Sequence, residues 1–197
     1  MTLGAPTDFP EHSTRERLLD VAAHRFAEHG YRQTSLAAIA REVAITPSAV
    51  YFHFAGKEEV FLAAFDREAG RLGDAIIGRE PQAVGDGYWN AVLNDVVKHL
   101  PEYPLVARVL GGAEPELMSR IVAGEFSTRL RATVAVSLRK GQEVGRVRMD
   151  IDRDRVALAV ETIMLAFLVM TVQARGVGRD ERVGAIGELM QLALSRR

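Results

Sequence analysis

Two helical patterns joined by only about three residues, Val43 to Ile45, constrain this chain more than any other feature. So short a join sets consecutive helices at a steep angle and leaves one of them exposed. Before it, Leu36, Ile39 and Ala40 recur at helical spacing behind Thr34, which stands where an N-cap would. After it, Thr46 and Pro47 read as an N-cap with proline at the first helical position, where the missing N–H costs nothing. This third helix is expected to reach about Phe54. Upstream, from Arg15, Leu18, Ala22 and Phe26 fall at i, i+4 and i+8, and Gly30 supplies a stop. Gly56 ends the triad, and Lys57 to Ile77 resumes with Val60, Phe61, Ala64, Phe65 and Leu72 in register.

A helix that reads DNA must be short, carry small residues at its N-terminal end so that its backbone approaches base edges, and be flanked by phosphate donors. Thr46, Pro47, Ser48 and Ala49 meet the first demands; Tyr51, His53 and Lys57 meet the last. His53 alone would read as a solvated surface residue, but beside Tyr51, Phe54 and Lys57 it points to nucleic acid.

Thr14 to Val60 resembles the DNA-binding domain of TetR-family transcriptional regulators. The residues that carry the likeness are Ala22-Ala23, Phe26, Gly30-Tyr31, Thr34-Ser35, Ile39-Ala40, Val50-Tyr51, His53-Phe54 and Lys57-Glu58. The resemblance implies phosphate contacts by Tyr51 and Lys57 and base-proximal positions at Pro47, Ser48, Ala49, Phe52 and His53, with Thr34, Ser35 and Thr46 completing the DNA-contacting set. It also implies that the rest of the chain forms an all-α domain that binds an inducer and dimerises through its last two long helices. A two-fold dimer would present its reading helices roughly 34 Å apart, to a pseudopalindromic operator. Two departures stand out. Ala44 occupies the turn where the family usually has glycine, and Pro47, Ala49 and Phe52 offer bases apolar contact rather than paired hydrogen bonds.

Downstream, helical patterns are expected at Tyr88 to Leu100, Leu105 to Leu110, Pro115 to Lys140, Asp152 to about Ala174 and, after Gly176 to Asp180, on to Ser195. The link from Gly78 to Gly87, with Pro81, and a loop from Gly141 to Asp150 separate them. With no convincing strand, the fold class is all-α, divided into a flexible arm over 1–13, a helix-turn-helix domain over 14–57 and a ligand-binding and dimerisation domain over 58–197. Val156 to Val172 is apolar nearly all round but interrupted by Glu161 and slightly short for a bilayer, so it reads as a buried helix and not as a membrane span. Val183, Ile186, Leu189, Met190 and Ala193 give the last helix a matching stripe. Phe65, Trp89, Leu93, Val96, Met118, Phe126, Met164 and Phe167 are the pocket candidates, although apolar residues at helical spacing are first of all core. They imply a mainly apolar small-molecule inducer, with Arg108, Arg120 and Arg129 leaving room for an acidic headgroup.

Composition narrows the remaining classes. Hydrophobic residues at 48% and charged residues at 26% exclude wholesale disorder. A net charge of -1, and ten acids against seven bases up to Gly70, make any nucleic-acid site local and its non-specific affinity modest. The absence of cysteine removes disulfides and thiolate sites and suits a reducing cytoplasm. Met1 to Ser13 lacks the basic and apolar regions of a secretory signal. His24, Glu28 and His29 are only a partial metal set and read as a solvated face; Glu114 and Glu116, with His99 and Glu102, read as caps and surface charge. With no H-E-x-x-H, G-x-S-x-G, phosphate-loop or dinucleotide pattern, neither metal nor cofactor is expected. A small-molecule sequestering module with a vestigial reader, or an all-α enzyme, stays as the alternative reading.

Overall fold

The computed structural model describes residues 13–78 and 83–195. The expected arm, apart from Ser13, and Pro81 lie outside them. The chain divides into two compact units between Ala64 and Phe65.

The first unit holds α1 (Thr14–Gln33), α2 (Leu36–Glu42), α3 (Pro47–Val50) and the start of α4 (Lys57–Ile77). A capping box that the sequence reading passed over opens α1. Ser13 Oγ accepts from the Glu16 N–H at 3.3 Å while Glu16 Oε2 accepts from the Ser13 N–H at 2.9 Å. Gly30, at φ 81°, breaks α1 where a stop is expected. Leu18, Ala22, Phe26, Ile39, Ala40, Val50, Phe54, Val60 and Phe61 form the core. Phe26 and Phe61 meet edge to face at 4.9 Å, with Tyr31 5.5 Å from Phe61.

Two local expectations are corrected here. The N-cap of α2 is Ser35, whose hydroxyl accepts from the Ala38 N–H at 3.2 Å; Thr34 is turned inward instead. α3 closes at Val50 rather than Phe54. The chain keeps winding through tighter bonds, Tyr51 N–H to Ser48 O and His53 N–H to Val50 O, and so delivers Phe54 to the core.

The second unit adds α5 (Tyr88–His99), α6 (Pro104–Leu110), α7 (Met118–Val122), α8 (Glu125–Glu143), α9 (Arg153–Gln173) and α10 (Arg179–Leu194). Trp89, Leu93 and Val96 of α5, Val134 and Leu138 of α8, Val160 and Phe167 of α9, and Val183 and Met190 of α10 share one core. The helix expected over Pro115 to Lys140 is broken. Ala123 and Gly124 end α7 with carbonyls so near that a Cβ on Gly124 would lie 3.0 Å from the Ile121 oxygen. α8 also runs past its expected end, through Gly141. The loop behind it returns so closely that a Cβ there would meet Val147 Cγ2 at 2.5 Å. Asp152 caps α9 as its position suggests, accepting from the Asp154 and Arg155 N–H groups. α9 itself is buried on one face only: Ala157, Val160, Met164 and Phe167 turn inward, while Leu158 and Met170 face outward with Leu189 and Leu192 of α10. Among the described residues there is no strand; Val147 and Ser195 form an isolated bridge.

The turn between α2 and α3 stores strain. Ala44 stands at φ 60°, where a Cβ crowds the backbone and costs roughly 1–2 kcal/mol. Glycine relieves that strain but adds unfolded-state freedom. Ala44→Gly is therefore expected to stabilise the first unit by about 0.5–1 kcal/mol, read as a melting temperature a few degrees higher.

Candidate nucleic-acid interface and ligand pocket

The turn and α3 form one projecting segment held from beneath. Val50 and Phe54 anchor it in the core, and Arg17 reaches across from α1 to donate to the Val43 carbonyl at 3.1 Å. That arginine lies 26 residues from its partner, and no sequence pattern marks it. Thr46 caps α3, accepting from the Ala49 N–H at 3.3 Å with its oxygen 3.0 Å from Ser48 Oγ. On the opposite side Pro47, Ser48 and His53 are exposed, Tyr51 is 61% exposed and Phe52 87%. Burial in the first unit's core does not account for two adjacent aromatic side chains left so open.

Lys57 is a placed cation. Its Nζ lies 4.4 Å from the Tyr31 ring centroid and 3.4 Å from the Arg32 carbonyl oxygen, both at the end of α1. Ser35 is exposed at the start of α2. Thr34 is not: it is 3% exposed and its hydroxyl donates to the Gly30 carbonyl at 2.9 Å, so this member of the sequence-derived set fastens the link after α1 back onto that helix. Ala49 is half-buried. Among the described residues no three His, Asp or Glu side chains converge as a metal site.

The second unit contains an apolar pocket bounded by α4, α5, α6, α7, α8 and α9, with about 80 Å³ open to the centre of a water-sized sphere. That is several times what one water needs. Of the eight pocket candidates, Phe65, Val96, Phe126 and Met164 line it. The other four do not. Leu93 and Phe167 fill the core, Met118 is half-buried elsewhere, and Trp89 belongs to the core beside a separate groove against α10. Sequence reasoning missed the α4 wall of Ala69, Leu72, Gly73 and Ile76, which follows Phe65 at helical spacing and was legible in principle. It also missed Glu161 as a lining residue, although the interruption of the apolar run was its signal. Of the arginines considered for an acidic headgroup, Arg108 is spent on Glu114 at 2.8 Å, while Arg129 borders an adjoining cleft.

The family described as bacterial regulatory proteins, tetR family, matches residues 18–64. The HTH-type transcriptional repressor AcnR of Corynebacterium diphtheriae is 25% identical over 174 residues, covering 86% of each chain. Residues 18–64 are thus similar to the DNA-binding part of that family, and the likeness to the repressor extends along most of both chains. The repressor Rv1474c of Mycobacterium tuberculosis is 24% identical over 191 residues, covering 92% of this chain and 93% of its own. The fatty acid degradation regulator FadR from Bacillus halodurans shares the fold, with a TM-score of 0.68 at 20% identity over 93% of this chain and 97% of that one. These relatives are transcriptional repressors and regulators rather than enzymes, and residues 18–64 are where the family of DNA-binding regulators matches.

In this chain, α4 caps two of the helices that line the pocket. Glu68 Oε1 accepts from the Leu105 and Val106 N–H groups at 2.8 and 3.2 Å, closing the start of α6. Asp66 Oδ1 accepts from the Phe126 N–H at 3.1 Å, closing the start of α8. Neither helix has a side-chain cap of its own. Burial pushes both carboxyls above their ordinary range, outweighing the N–H bonds that favour the charged form. A raised folded-state pKa adds stability at low pH, and that contribution is lost as pH rises through the folded value. Glu68→Gln removes its share. The stability of wild type relative to Glu68→Gln should therefore grow as pH falls from neutral toward 4.5, measured by urea unfolding across that range.

Proposed function

We propose that this protein is a homodimeric repressor that binds a pseudopalindromic operator and leaves it when a small, mainly apolar inducer occupies the pocket of its second unit. The observation that carries the reading is the presence in one chain of a projecting, capped segment bearing Tyr51 and Phe52 and of an apolar pocket lined by α4, the helix that follows that segment in sequence. Tyr51 and Lys57 contact phosphates, with Ser35 and Thr46 beside them at helix starts. Pro47, Ser48, Ala49, Phe52 and His53 face the bases. Phe52 and Pro47 pack against thymine methyl groups, and specificity leans on those contacts, on Ser48 and on DNA shape. The protein acts in the cytoplasm, on double-stranded DNA.

Dimerisation rests on the outward stripe of α9 and α10. Leu158, Met170, Leu189 and Leu192, the last 74% exposed, are apolar groups for which one chain has no cover. Release works by population shift. The carboxylates of Asp66 and Glu68 tie α4 to the starts of α8 and α6, so a ligand that spreads the pocket walls moves these elements together. The favoured state is one in which the spacing of the two reading helices no longer fits one DNA turn. The ligand must prefer that state by a few kcal/mol, on the order of 1–3, to matter.

Selection of sites from randomised duplex DNA at near-physiological salt should enrich a pseudopalindrome with half-sites about one turn apart. Tyr51→Ala and Phe52→Ala should each lower affinity for that site about tenfold or more while leaving the thermal transition of the second unit in place. No enrichment by folded protein, or binding at full strength as a monomer, would sink the proposal.

A further inference from the structure

The pocket is apolar on every side but two, and the exceptions are the buried residues Ser127 and Glu161. The Glu161 side chain is 7% exposed. Its Oε2 accepts from Arg131 Nη1 of α8 at 2.8 Å, and its Oε1 is buried with no hydrogen-bond partner. A buried acceptor left unmet is costly, and native proteins keep such groups where something else meets them. Carboxylate oxygens can only accept, so the missing partner is a donor.

From this we infer that the pocket is built for a neutral, largely apolar molecule carrying one hydrogen-bond donor, such as a hydroxyl, which Glu161 Oε1 accepts. The inference rests on the ligand-binding part of the function proposed above and supplies the chemical class of the ligand. Arg131 sets the charge. It already balances Glu161, so a cationic headgroup would enter as an uncompensated buried charge, and an anionic one would face the free lone pairs of Oε1. The remaining walls set the body. Phe65 and Phe126, edge to face at 6.3 Å, stand with Leu72, Ile76, Met164 and Leu168 around a space that a short chain or a single ring fills. A pocket of this kind rejects the isostere that lacks the donor more strongly than it rejects a change of one methylene.

Octan-1-ol and its isomer 1-methoxyheptane have equal size and near-equal apolar surface, but only the alcohol donates. Calorimetric titration of the full-length protein should give the alcohol at least about tenfold tighter binding. In Glu161→Gln the amide oxygen faces Arg131 and the amide N–H₂ takes the place of Oε1, so the preference should shrink or invert toward the ether. Gly73→Leu, at a lining position where a Cβ meets nothing within 4 Å, fills the pocket and should abolish alcohol binding. Equal binding of the two isomers, binding of neither, tighter binding of octylammonium or octanoate, or alcohol binding that survives Gly73→Leu overturns the inference. If Glu161→Gln fails to fold, the wild-type ratio decides alone. No titration contains DNA, so failure here leaves an enriched operator standing, and failure to enrich one leaves the alcohol preference standing.

Discussion

Helix α4 contributes to both compact units, its first turns to one core and its later turns to another. Its first turns place Val60 and Phe61, both fully buried, in the aromatic cluster with Phe26 and Tyr31. Its later turns give Phe65, Ala69 and Leu72 to the pocket wall of the second unit. Within each unit, packed interiors tolerate little displacement of the turns they hold. The carboxylates of Asp66 and Glu68 tighten the constraint by replacing the missing caps of α8 and α6. Ligand response becomes a question of which small set of packings these bonds permit.

Much of the fold was legible because it is written in local chemistry. The Thr46-Pro47 start, the Asp152 cap and the bounds of α4 follow from residues within a turn of where they act. Strain at Ala44 was legible only through the resemblance, as a Cβ where the family usually has glycine, and the φ of 60° there supplies the condition that reading needed. The failures have a common physical form. Thr34 and Ser35 both look like caps, and only the burial of Thr34 against the Gly30 carbonyl decides between them. Gly124 looks like one more helical residue until the approach of the α7 carbonyls is known.

The sites divide along the same line. Exposed Tyr51 and Phe52 could be picked out because the motif around them is contiguous. The pocket is assembled from six helices, and a residue such as Leu93 or Phe167 differs from Val96 or Met164 only in which side of its helix meets empty space. Periodicity finds apolar faces; it does not distinguish a face that closes on its neighbour from one that stops short. Glu161 was visible as an interruption in an apolar run, yet its meaning depends on Arg131, thirty residues earlier in the chain.

The outward stripe on α9 and α10 has a consequence for how much of this protein a cell must keep. In the dimer proposed above, pairing that covers Leu158, Met170, Leu189 and Leu192 would join folding to association, so that the molecule's persistence would follow its own abundance. At low copy number, chains with these groups uncovered are the ones that chaperones and proteases meet first.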